Sequence, residues 1–301
     1  MKTRFSITSL AVASAATLTL AGCSSGGSSS AIEGDELGTI TVGYIPSYTD
    51  SLALAFLLDD QLSEVGYDIE LEPLTEVGPI YAGLAGGSLD IYASAWPDFT
   101  HASYMEEYGD DIEDLVTFYD GAENFLAVPT YMEDVNSIED LVGMGEEFDG
   151  TITGIEPGAG LTGQLQNVAM PEYGLDEEYS LLTSSTPSML TELEQALEEE
   201  DDIVVTLWKP YWANASYDVK ALEDPKGAMG DPETMHVLGT AGFSEEFPDA
   251  ADYIAGISLD DALYESLEDT VVNQFEDGDE PAAIDQWISE NPDAFETLIA
   301  E

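Results

Sequence analysis

The sequence predicts an α/β protein of two lobes with a ligand cleft between them. Three observations carry this expectation: an alternating β-α-β-α-β pattern over residues 39–95, a second α/β series that begins near Leu126, and a mostly helical remainder beyond residue 238. In the first series, residues 39–45 read as a strand and 50–65 carry apolar residues at helical spacing until Gly66 stops them. Residues 67–71 alternate as a second strand, 79–84 form a short helix and 89–95 a third strand. The spacing argues for a parallel sheet covered by helices, with binding groups at the carboxyl ends of the strands. Tyr48 and Trp96 fall at such ends.

In the second series, 125–129 reads as a strand that crosses between lobes, 138–142 starts a helix, 151–155 is a strand and 160–170 a helix. Thr186-Pro187 opens another helix, Thr186 as the capping side chain and proline at the first position, running to about residue 200. A strand follows at 203–208 and another at 235–238, then helices at 246–257, 259–274 and 281–291. The expected division is a signal peptide at 1–22, a lipidated cysteine and flexible linker at 23–37, a first lobe from 38–126 plus 238–301, and a second lobe from 127–237. A single doubly wound domain is the alternative.

The N-terminus places Lys2 and Arg4 before an apolar stretch at 10–20, the order of a secretory signal peptide. Leu20-Ala21-Gly22-Cys23 resembles a bacterial lipobox, so Cys23, the only cysteine, reads as a lipid-attachment site. The run Ser24-Ser25-Gly26-Gly27-Ser28-Ser29-Ser30 behaves as a flexible tether. The expected location is therefore extracytoplasmic, on a membrane surface, held by lipid. Acidic residues number 63 against 5 basic ones. With 44% hydrophobic residues in periodic segments, that charge coats a folded surface rather than signalling disorder. Such a coat suits concentrated salt, where screening removes the cost of self-repulsion, and points to a halophilic source. Nucleic acid is excluded as a partner, because its phosphates need basic surface.

Three groups carry chemistry. Tyr48, Trp96 and Trp208 sit at predicted strand ends, where three rings suit a quaternary ammonium through cation–π attraction; any one alone reads as packing. His101, five residues beyond Trp96, has an imidazole N–H to donate to an anion. Gly154-Ile155-Glu156-Pro157-Gly158-Ala159-Gly160-Leu161 is a glycine-rich strand-to-helix turn whose free N–H groups suit an anion. It lacks the lysine and hydroxyl of a phosphate loop, so a carboxylate fits better. Lys209 is expected to pair with surface acids, Trp212, His236 and Trp287 to be structural, and the acidic pairs to be solvated. Nothing in the chain supplies a nucleophile or metal-ligand pattern, so no catalysis, cofactor or metal is expected.

Taken together, V-G-Y-I-P-S-Y, S-A-W-P-D-F-T-H, G-I-E-P-G-A-G-L and L-W-K-P-Y-W resemble the glycine betaine substrate-binding lipoproteins of osmoprotectant ABC importers. The resemblance runs from Ile40 to about Asn291. It implies a type II periplasmic-binding-protein-like fold with a hinge, a monomer, a betaine ligand, and an ABC permease with its ATPase as partners. It places a three-ring box on Tyr48, Trp96 and Trp208, and a carboxylate grip on the N–H groups of Gly160 and Leu161 and the side chain of His101. Tyr48 departs from the tryptophan found there in the relatives it most resembles, which leaves open the choice among glycine betaine, proline betaine, carnitine and choline. An osmolyte-sensing lipoprotein with the same pocket is the other reading.

Overall fold

A computed structural model describes residues 37–276 and 278–300; the expected signal peptide, Cys23 and the linker through residue 36 lie outside the described residues. The chain opens with strand β1 (Thr39–Tyr44), helix α1 (Thr49–Val65), β2 (Asp68–Pro73), α2 (Val77–Ala85), β3 (Ile91–Ala95) and α3 (Ala102–Tyr108). Helix α1 forms because its Ala and Leu residues repeat on one face; Ala53, Leu54, Leu57, Leu58 and Leu62 are fully buried. Gly66 closes it in the left-handed region, φ 118°, where its N–H reaches the Leu62 and Ser63 carbonyls.

Strand β4 (Ile112–Pro129) is followed by β5 (Thr151–Thr153), α4 (Gly160–Gln164), a π-type turn over Leu165–Ala169, α5 (Met170–Tyr173), β6 (Ser180–Leu182) and α6 (Thr186–Glu199). After these come β7 (Val205–Lys209), α7 (Ala213–Ser216), β8 (Val219–Ala221) and β9 (Glu233–Thr240). The chain ends with α8 (Phe243–Glu246), α9 (Pro248–Ile254), α10 (Asp261–Asp269) and α11 (Glu280–Glu290).

The strand order is β2-β1-β3-β9-β4-β7-β5-β6, with β8 also on β4. β4 passes between two groups of strands. Its first part, through Ala122, pairs with β9, and its second part, from Glu123, pairs with β7 and β8. The first lobe is built on β1, β2, β3 and β9, and the second on β5 to β8. The expectation of parallel sheets holds within each outer set, β1 with β2 and β3, β5 with β6 and β7. It fails at the centre, where β9 runs antiparallel to β3 and β4, and β4 antiparallel to β7 and β8. Two long antiparallel strands therefore lie where the lobes meet. β9 joins the first group from Glu233 onward, five residues before the expected return at 238.

The cap of α6 also differs from expectation. Ser185 is the N-cap, its hydroxyl accepting from the Ser188 N–H, while Thr186 is helical and turns its hydroxyl elsewhere. The C-terminal helices return to α1. Gln61 accepts through Oε1 from the Tyr253 hydroxyl at 2.9 Å and from the Ile299 N–H at 2.7 Å, and Thr49 Oγ1 donates to Glu268 at 2.8 Å. Trp287 is fully buried with its indole N–H on Ser266, and His236 is buried against Asp114 at 2.9 Å, both in packing roles as expected. Trp212 is half-buried against the core rather than within it. Among the described residues, no helix is long and apolar enough to cross a membrane.

Candidate functional site

All six residues singled out in the sequence line one cavity between the lobes: Tyr48, Trp96 and His101 from the first, Gly160, Leu161 and Trp208 from the second. The atom-free space there, mouth included, is about 390 Å³. Each side chain arrives from a strand end. Tyr48 follows β1 and leads into α1, Trp96 follows β3, and Trp208 is the next-to-last residue of β7. The Tyr48 and Trp208 rings meet edge to face, centroids 5.8 Å apart. Tyr211 stacks on the Trp208 ring, centroids 4.0 Å apart and 23° from parallel, and backs the indole.

The loop from Trp96 to His101 is tied to itself. The His101 N–H donates to the Trp96 carbonyl at 2.8 Å, and the Trp96 N–H donates to His101 Nδ1 at 3.1 Å. Tyr81 adds its hydroxyl to the same nitrogen at 3.2 Å. Because Nδ1 accepts, the ring is in the tautomer that keeps its proton on Nε2. Burial pushes the His101 pKa down to about 3, so the imidazole is neutral and offers the cavity one N–H donor. The second set of donors is backbone. Gly160 and Leu161 open α4, and their N–H groups have no acceptor in the protein among the described residues.

Further residues in the cavity or behind its lining loop escaped the sequence. Asp50 lines the same cavity, is buried, and accepts from Ser94 Oγ at 2.6 Å. Burial raises its carboxyl above the usual range, opposed in part by that hydrogen bond. In the sequence it looks like an acid in the first turn of α1, a common helix feature, and nothing distinguished it. Glu233 on β9 accepts from the Phe99 and Thr100 N–H groups at 3.0 and 3.1 Å and from the Thr100 hydroxyl. Asp98 answers in the opposite sense, accepting from the Thr234 hydroxyl at 2.8 Å. Asn124 of β4 donates to Thr100 Oγ1 at 2.6 Å. The loop that carries His101 is thereby pinned to both central strands.

Across the cleft the lobes touch directly. The Thr100 carbonyl lies so close to Gly160 that a Cβ there would sit 1.9 Å from its oxygen. Tyr104 of α3 donates to the Gly158 carbonyl at 2.9 Å. Lys209 lies 4.0 Å from Asp261, both partly exposed, in keeping with the expected surface pairing.

One cavity thus brings together three rings, a buried carboxylate and neutral donors. A family model, OpuAC, the substrate binding domain of ABC-type glycine betaine transport system, matches residues 38–290. The chain belongs to the OpuAC family. Among curated relatives, the glycine betaine/carnitine transport binding protein GbuC of Listeria monocytogenes is 37% identical over 154 residues, 50% of this chain and 49% of that protein. The match thus spans about half the length of that relative. Among solved structures, the glycine/betaine/L-proline-binding protein ProX of Borrelia burgdorferi aligns with a TM-score of 0.78 at 30% identity, covering 84% of this chain and 93% of that one. Lactococcal OpuAC, crystallised closed with glycine betaine, aligns with a TM-score of 0.78 at 29% identity, covering 85% and 96%. OpuAC members of this kind have the two-lobed type II fold of periplasmic binding proteins, and this chain shares it.

Proposed function

We propose that the protein captures glycine betaine or a related quaternary-ammonium osmoprotectant outside the cytoplasm and delivers it to an ABC permease driven by an ATPase. The observation that carries the reading is the convergence of three aromatic rings and three anion-suited donors on one interlobe cavity. Tyr48, Trp96 and Trp208 surround the trimethylammonium, with Asp50 as the counter-charge beneath; each ring contact contributes about 0.5 to 2 kcal/mol. The ligand carboxylate takes the Gly160 and Leu161 N–H groups and the Nε2–H of His101. Because the grips belong to different lobes, a ligand that carries both charges favours the closed state over the open one by its differential affinity. Supporting the role is the family itself, and the similarity to proteins whose names record betaine binding. The chain acts as a monomer tethered through lipid at Cys23, and its lobes divide within β4 and again at the start of β9.

A second reading, a pocket that prefers choline, draws on Asp50, whose buried carboxylate compensates a lone cation. Titration calorimetry with glycine betaine, proline betaine, carnitine and choline decides between them. Glycine betaine is expected to bind at least tenfold more tightly than choline, the worth of about one charge-assisted hydrogen bond. Equal affinities would remove the carboxylate grip from the proposal, and the reverse order would establish the choline reading.

A further inference from the structure

We infer that Glu156 is a cross-cleft latch, its carboxylate held in the second lobe and fastened to the first by the hydroxyls of Tyr48 and Ser47, so that one wall of the cage also locks the lobes together. The inference rests on the proposed binding role. Glu156 is buried, 8% exposed, and among the described residues it has no cationic partner. Its own lobe supplies two donors, the Thr186 N–H at 2.9 Å to Oε1 and the Thr186 hydroxyl at 2.8 Å to Oε2. Those two bonds fix the carboxylate plane. The other two donors come from across the cleft, Tyr48 OH at 3.2 Å to Oε2 and Ser47 Oγ at 3.4 Å to Oε1.

A buried carboxylate needs its lone pairs occupied, and here half of the donors are present only when the lobes meet. On opening, water replaces them; on closing, the Tyr48 and Ser47 hydroxyls do. The bonds therefore contribute to the difference between open and closed states and to none of the differences between ligands. Burial, with the adjacent Glu156 charge, raises the Tyr48 phenol well above its ordinary value, which keeps it a donor. Tyr48 thus has two separable functions, a ring face for the ligand and a hydroxyl for closure. Phenylalanine keeps the first and deletes the second.

Stopped-flow release of glycine betaine and choline, followed by tryptophan fluorescence, tests this with Tyr48→Phe, Glu156→Gln and the double variant. Release from Tyr48→Phe is expected to be about tenfold faster for both ligands, the effect of losing one hydrogen bond to a charged acceptor. The double variant should be no faster than the faster single one, because the two groups share one bond. Unchanged release from Tyr48→Phe, or additive effects in the double variant, overturns the latch. Thermal melts check that Glu156→Gln, which also touches the start of α6, remains folded; Tyr48→Phe decides the matter if it does not. Small-angle scattering of the ligand-free proteins separates the latch from the binding role. If the wild type binds none of the ligands, the binding role falls, and the latch then stands on whether Tyr48→Phe is more open than the wild type; identical scattering curves overturn it.

Discussion

His101 combines two properties that rarely coexist, complete burial and an unblocked donor. Its Nδ1 is occupied by the Trp96 N–H, and its pKa is pushed down to about 3 because the charged form would be stranded away from water. An unfolded histidine titrates near 6.5, so the folded value is depressed. Between these values the unfolded chain binds the extra proton, and stability contributed by neutral His101 is lost as pH falls from about 6.5 towards 3. His101→Gln removes that titration. Denaturant melts are expected to show the wild type losing stability relative to the variant by about 1.4 kcal/mol per pH unit below 6.5, with a constant gap above it. A gap that is constant across the whole range would mean that His101 takes up its proton at the same pH in the folded and unfolded chains, so that burial does not depress it. Glu268 slopes the other way, since burial and the neighbouring Asp50 charge push its carboxyl up to about 8, and that is why the difference between variants is the quantity to read.

At the scale of elements, the cleft depends on α4 beginning with glycine. An alanine Cβ at position 160 would lie 1.9 Å from the Thr100 oxygen, and Thr100 cannot retreat because Glu233 and Asn124 hold it. Gly160→Ala is compatible with the helix itself, so ligand-free thermal stability should stay near that of the wild type. Calorimetry should show glycine betaine binding about tenfold to a hundredfold more weakly, the usual range for overpacking a tight contact. Wild-type affinity in this variant would show that the bound state does not bring Thr100 onto Gly160. The motifs that make this contact were legible in the sequence, since glycines after a strand and rings at strand ends each have a local reason. Most of β4 was not. Its 18 residues include four acids and three register shifts against β9, which break the alternation by which a strand is recognised. Thr186 was legible as a start of α6 but not as a partner of Glu156, because that bond spans 30 residues. Asp50, Glu233 and Asn124 were hidden for a related reason. Their roles come from being buried beside a particular loop, and among 63 acidic residues no local pattern marks the few that turn inward.

For the whole molecule, the formal net charge of −58 acts against the compact state wherever screening is weak. The Debye length falls from about 10 Å at 0.1 M salt to about 3 Å at 1 M. Thermal midpoints should therefore rise with sodium chloride over this range, on the order of 10 °C for the released self-repulsion. Ligand affinity should change little over the same range, because ring contacts and buried donors act at short distance. A midpoint that is flat or falls with salt would remove the halophilic reading of the surface.

Thr100 meets Gly160 where the two lobes touch. Closure ends on backbone against backbone, pinned on one side by Glu233 and rigid on the other as the first turn of a helix. Rotamers cannot lengthen or shorten that distance. On the proposed function, the site is therefore a gauge of charge separation between a cation among the rings and an anion at the helix start, and a zwitterion with an added methylene is expected to bind more weakly than glycine betaine.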